Sequence, residues 1–132
     1  MTGCVLADAG PLYAAVDPHD AHHKRAAREL ERLAEERLDV MVCFPTLLET
    51  YSLVLFRLGW GVATRWLSEM NNGTLVNPVP EDYWNASRRL AAFPDQPITL
   101  FDATVAAIAT RLGSEVWTYD HHFDVMRVPV WR

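Results

Sequence analysis

Lysine is almost missing from this chain of 132 residues: Lys24 stands alone against eleven arginines. That removes any mechanism needing a lysine elsewhere, including the P-loop with its Gly-Lys-Ser/Thr signature. With only 6 glycines and 8 prolines, collagen-like and low-complexity chains are excluded, and the half-apolar composition excludes disorder. No apolar run approaches the ~20 residues that cross a bilayer. Cysteine is scarce too. Cys4 and Cys43 both sit in apolar, strand-like runs, where small buried thiols are expected rather than a disulfide. The opening MTGCVLADAG lacks the basic region and apolar core of a secretory signal, so a cytosolic protein is expected. Positive charge is also short, 12 basic residues against 17 acidic ones, a net −5. Such a balance argues against gripping nucleic acid by bulk electrostatics alone, but not against a nucleic-acid enzyme. Two divalent ions held by carboxylates would bring the sum to −5 + 4 = −1. What is present suits one compact domain over residues 1–132, with a radius of gyration of roughly 14 Å.

Short apolar runs alternate with helical patterns. Val5-Leu6-Ala7 reads as a strand, ended by the turn signal Asp8-Ala9-Gly10-Pro11. Asp17, Pro18 and Asp20 form a helix start, and Ala26, Leu30, Leu33 and Arg37 continue an amphipathic helix over 18–37. A second strand spans 40–44, and Pro45 opens a helix carrying Leu47, Leu48, Tyr51, Val54, Leu55 and Leu58 that stops near Gly59. A helix over 61–71 and a short strand at Leu75-Val76 follow. The helix from about Pro80 sets Tyr83, Trp84, Ser87, Leu90 and Ala91 along one face. Phe101, Val105, Ile108 and Leu112 form a buried stripe ending at Gly113. Val116-Trp117-Thr118 is a fourth strand, and 128–131 a candidate fifth whose proline marks an edge. Apolar strands alternating with helices predict a three-layer α/β/α sandwich around a parallel sheet of four to five strands.

Ligands collect at the carboxyl ends of the strands in such sheets. Asp8 follows the first strand, Asp120 the fourth, Asp102 opens the helix near 100–112, and Glu49 lies in the first turns of the helix after the second strand. Each acid alone has a plainer reading as a turn or cap residue, with Asp124 and Glu69 on the surface. Glu49 is the exception, because an acid among Leu47, Leu48 and Tyr51 is partly desolvated and wants a partner. Two carboxylates ~5 Å apart repel by about 3 kcal/mol at an effective dielectric of about 20. A converging set must therefore bind cations or take up protons. Mg²⁺ and Mn²⁺ favour oxygen ligands and keep positions open for a phosphate oxygen and an attacking water, the requirements of phosphodiester hydrolysis.

These residues resemble the PIN-domain ribonucleases, and within them the VapC-type toxins of toxin–antitoxin pairs. The resemblance runs through VLADAGPLYAAV with Asp8, PTLLETYSLV with Glu49, ITLFDATVAAIATRLG with Asp102 and VWTYDHHFDVM with Asp120, at intervals of 41, 53 and 18 residues. It implies a metal-dependent endoribonuclease that cuts structured RNA of the tRNA or rRNA class. Asp8, Glu49, Asp102 and Asp120 would be the catalytic and metal-holding acids, with Mg²⁺ or Mn²⁺ as the ion and Thr118 as the hydroxyl that positions the site. It also implies an antitoxin partner and a homodimer. The chain departs from the family at Ala9-Gly10, where a hydroxyl residue is common, and at His121-His122, where many relatives carry another Asp; Asp124 is the nearest acid to that gap.

Tyr51 to Trp66 holds more large apolar residues than one buried helix face can hide, so Tyr51, Leu55, Trp60 and Trp66 are the candidate partner surface. His19, His22 and His23 share a helical face, but no cysteine or further acid completes a zinc set. The charges of 24–37, Lys24, Arg25, Arg28, Arg32 and Arg37 against Glu29, Glu31, Glu35 and Glu36, read as a solvated helix face. The rival to the nuclease is a non-catalytic binding module whose acids engage a partner's basic side chains. A receiver domain lacks its lysine here, and a haloacid-dehalogenase phosphatase lacks its second acid, since position 10 is Gly.

Overall fold

The computed structural model describes residues 3–132. Its elements run β1 (Gly3–Ala7), α1 (Ala9–Val16), α2 (His23–Glu35), β2 (Leu38–Cys43), α3 (Phe44–Leu58), α4 (Trp60–Asn71), β3 (Thr74–Val76), α5 (Pro80–Ala91), α6 (Leu100–Leu112), β4 (Glu115–Trp117) and α7 (His122–Val125). All strand pairs are parallel, in the order β3-β2-β1-β4. The chain winds outward from β1 to β3, then crosses back to lay β4 on β1's other side. The direction of winding thus reverses between β1 and β4, the place where an open α/β sheet leaves a crevice at its carboxyl edge.

Strand alternation divides the core into two layers. Val5, Ala7, Val42 and Trp117 pack with Leu12, Leu33, Leu47 and Trp66 of α1 to α4. Leu6, Met41, Cys43 and Val116 face the other way, onto Ala86 of α5, the buried run Ala103–Ala109 of α6, and Phe123 of α7. Adjacent strand residues serve opposite layers, which is why every strand reads as continuously apolar. Leu6 is fully buried, and truncating such a leucine to alanine costs about 3 kcal/mol. No helix among the described residues is long and apolar enough to cross a membrane.

Several local expectations are corrected. Asp8-Ala9-Gly10-Pro11 is the start of α1 rather than a turn; Pro11 is tolerated in a first turn, where its missing N–H has no helical partner. The helix expected over 18–37 begins only at His23, because Asp17 and Asp20 accept the N–H groups of His19 and His22 at 2.9 and 2.8 Å and hold 17–22 in turns. It ends at Glu35, and Arg37 takes φ 57°. Cys4 is exposed, not buried, since β4 pairs with β1 only from Val5 onward, whereas Cys43 is buried as expected. Both thiols are free. Residues 128–131 make one bridge, Val116 to Val130, rather than a fifth strand.

The face of α5 is also different. Asp82 and Ala86 point inward, while Tyr83 and Trp84 are exposed. In α6 the stripe holds at Val105 and Ile108, but Phe101 and Leu112 lie at the helix ends in solvent. Gly59 and Gly113 do end α3 and α6 with φ of 92° and 64°, conformations that a side chain strains.

Candidate functional site at the carboxyl edge of the sheet

Asp8 leaves β1 in extended conformation at the head of α1, yet its carboxylate makes no capping bond across that helix. It accepts instead from the Thr118 hydroxyl, 2.8 Å from Oδ2, and its own N–H donates to the Trp117 carbonyl at 2.9 Å. Thr118 also accepts the Asp120 N–H on Oγ1 at 3.0 Å. One buried hydroxyl therefore joins the acids that end β1 and β4. Asp120 in turn accepts the His122 N–H at 2.9 Å, opening the short α7.

Asp102 stands in the first turn of α6. The cap there is Thr99, whose hydroxyl accepts the Asp102 N–H at 3.1 Å, so the aspartate side chain is not spent on capping. It is buried and shares a hydrogen bond with Asp120. Glu49, half-buried on α3, lies in the field of Asp8 and Asp102. The fold thus sets Asp102 in the field of the other three acids singled out from the sequence, with Thr118 joining Asp8 to Asp120.

Their protonation records the crowding. Burial pushes the Asp102 carboxyl up, and Asp120, Asp8 and Glu49 push it further, to about 8. Asp8 is raised by burial, only partly offset by the Thr118 hydroxyl and the Ala9 N–H. Glu49 is raised by burial and by Asp8. Burial also pushes on Asp120, but the His122 N–H, the bond to Asp102 and the two imidazoles outweigh it and hold that carboxyl low. Burial and like charge thus favour a proton within the Asp102–Asp120 pair. No lysine or arginine pairs with any of the four among the described residues; Asp120 has only His122 Nδ1 at 3.3 Å and His121 Nδ1 at 3.8 Å. Two buried and two half-buried acids without a paired lysine or arginine, all hard oxygen donors, suit a small divalent ion. The two imidazoles add nitrogen donors beside Asp120.

Other sequence candidates sit elsewhere. Asp124 is exposed and tied to Arg132 at 2.7 Å, although it borders the polar hollow beside Asp120 and Thr118. His19 and His22 precede α2, and His23 bonds the Ala14 carbonyl at 2.7 Å, so the three form no metal set. Trp60 is 72% exposed, Tyr51 and Leu55 are half-buried, and Trp66 is buried. Trp66 nevertheless floors an apolar hollow of about 310 Å³ with Leu12, Val16, Leu30 and Met70. An adjoining hollow shares Ala15, Val16, Trp66 and Glu69, which makes one groove along α1, α2 and α4. A second apolar cleft, walled by Leu48, Tyr83, Leu100 and Phe101, opens at Glu49.

Sequence reasoning missed Glu29. It was counted among the balanced charges of a solvated face, but it is only 8% exposed and bonds the β4 end. Its place at i+3 from Ala26 and i−4 from Leu33, both buried, was the available signal.

A family model for the PIN domain matches residues 5–129. No curated protein sequence matches significantly. Among solved structures, VapC20 of Mycobacterium tuberculosis, described as a toxin that cleaves the sarcin-ricin loop, superposes with a TM-score of 0.83 at 20% identity, over 97% of this chain and 98% of that one. VapBC2 from Rickettsia felis, solved bound to a DNA fragment from its promoter, gives 0.77 at 12% identity over 98% and 97%. FitAcB from Neisseria gonorrhoeae gives 0.72 at 20% identity over 97% and 96%. With its parallel sheet, its carboxyl-edge acids and this match over nearly its whole length, the chain belongs to the PIN domain family, in the fold of the VapC toxins.

Proposed function

We propose that this protein is a metal-dependent endoribonuclease toxin, restrained by an antitoxin. The observation that carries the reading is the set of four acids at the carboxyl edge of the sheet, joined through Thr118 and, among the described residues, paired with no arginine or lysine. Asp8, Glu49, Asp102 and Asp120 would hold Mg²⁺ or Mn²⁺. When bound, such an ion neutralises a phosphate oxygen and lowers the pKa of an attacking water. The chain's own residues prepare the place. Thr118 fixes the Asp8 carboxylate and the Asp120 backbone at once, so two acids from different strands keep one spacing. Asp102 would hold the ion as a carboxylate, and the backbone of His122 orients Asp120.

Structured RNA of the tRNA or rRNA class is the proposed substrate, in line with the activity described for the structurally similar VapC20. The groove along α1, α2 and α4 is the proposed seat of an antitoxin segment, supported by its apolar walls and by the VapBC-type complexes that share the fold. A second copy of the chain is proposed to cover the cleft of Leu48, Tyr83, Leu100 and Phe101, next to Glu49.

The test is cleavage of total cellular RNA by partner-free protein in Mg²⁺, Mn²⁺ and EDTA, beside Asp8→Asn. Discrete metal-dependent fragments, absent from the Asp8→Asn lane, are expected. A folded wild type that leaves RNA intact in both metals, or an Asp8→Asn protein that still cuts, would sink the proposal; the first outcome favours the binding module.

A further inference from the structure

We infer that Glu29 is a positioning residue of the acid site, acting through β4 without touching the four acids. The inference rests on the nuclease reading above. Glu29 projects from α2 into the protein, and its Oε1 accepts two side-chain donors: the Tyr119 hydroxyl at 2.6 Å and the Trp117 indole N–H at 3.2 Å. Those residues flank Thr118 on either side. The Trp117 carbonyl takes the Asp8 N–H, and the Thr118 hydroxyl spans the Asp8 carboxylate and the Asp120 N–H. A single carboxylate on a helix ~90 residues away in the chain therefore pins both sides of the residue that joins two site acids.

The surroundings favour that role over a simple surface tether. Arg25 reaches Glu29 Oε2 at 3.5 Å and lays its guanidinium 4.1 Å from the centre of the Tyr119 ring, and His22 packs on the same ring at 5.0 Å. Tyr119 is thus held by its hydroxyl and from the side, which anchors the backbone beside Thr118. Burying a carboxylate is unfavourable unless its oxygens are satisfied, and Glu29 is satisfied chiefly by the two neighbours of Thr118.

The experiment compares wild type, Glu29→Leu and Glu29→Gln, each checked for folding by near-ultraviolet circular dichroism. Mn²⁺ affinity is read by electron paramagnetic resonance, and kcat and KM by RNA cleavage. Partners that orient metal ligands are worth about 10–100-fold, so Glu29→Leu is expected to weaken Mn²⁺ binding and lower kcat by about 10-fold or more. KM should move less than kcat, because Glu29 itself is buried. Glu29→Gln keeps an acceptor oxygen and should recover most of the loss. A merely structural glutamate would lower the melting temperature while leaving Mn²⁺ affinity and kcat of the folded protein unchanged, and that result overturns the inference. Wild type that binds no Mn²⁺ overturns the nuclease reading together with it. Wild type that binds Mn²⁺ but cuts no RNA sinks the nuclease reading, and the Mn²⁺ affinities of the variants still decide for or against Glu29.

Discussion

Asp82 and Asp102 are buried aspartates on the packed helices α5 and α6, and their surroundings are opposite. Asp82 receives the Arg111 guanidinium on both oxygens, each at 2.9 Å, and the Val79 N–H at 2.9 Å. Burial pushes its carboxyl up, but those donors win and hold it below the ordinary value. Asp102 lies on the same helix as Arg111, about 13 Å along the axis, and has carboxyls for neighbours instead of a guanidinium. Its carboxyl is driven up to about 8. Asp82 is complete in the protein alone and ties two helices together. Asp102 is complete only with a proton or a cation. A lone buried acid is structural when its counter-charge is built in, and points to a ligand when several meet without one.

The sharpest break of this contrast is Asp102→Asn. On the proposed function Asp102 holds the metal, and its loss should exceed the ~100-fold upper range for supporting groups, so RNA cleavage should fall by more than about 100-fold. The metal-free variant should nonetheless melt higher than wild type, because a crowded acid has been removed; a lower melting temperature would contradict the crowding. On the other side, Arg111→Leu should leave Mn²⁺ binding intact and cost about 3 kcal/mol of stability, measured by urea unfolding, by stranding the Asp82 carboxylate. Thr118→Val should weaken Mn²⁺ binding by about 10-fold, read by titration calorimetry, since it unties Asp8 from Asp120 while keeping the shape.

A further contrast is one of pH. Asp82, held below 3.8, stabilises the fold above that pH, and its contribution is lost as pH falls through its lowered value. Asp102 has the reverse sign. Between 3.8 and about 8 the unfolded chain has released that proton while the folded protein keeps it. Metal-free protein should therefore lose stability as pH rises across this window, and added Mg²⁺ or Mn²⁺ should restore more at pH ~8 than at pH ~5. Thermal melts at both values, with metal and with EDTA, measure it; equal metal shifts at the two would count against Asp102 as the titrating group.

Much of the site was legible because strand ends and helix starts carry local signals. Asp8 and Asp120 follow apolar runs, and Asp102 and Glu49 sit in the first turns of helices, so a parallel topology sets them at one edge of the sheet. Asp82 was not legible, since its partner lies 29 residues away and nothing local distinguishes it from a capping acid. Glu29 was hidden among charges that balance on paper. The face of α5 was not legible either, because the helix turns Tyr83 and Trp84 to solvent and Asp82 and Ala86 inward.

The sequence by itself determined the alternation of strands and helices, the parallel sheet and the four acids, because periodicity and turn chemistry act over a few residues. Tertiary structure alone decided which buried acids are neutralised. Ion pairing depends on distances of a few ångströms between residues tens of positions apart, and the winding of β4 back onto β1 sets them. The packing of α5 on α6 leaves Asp82 with Arg111, and the return of β4 leaves Glu29 with Trp117 and Tyr119 and Asp8 with Thr118 and Asp120.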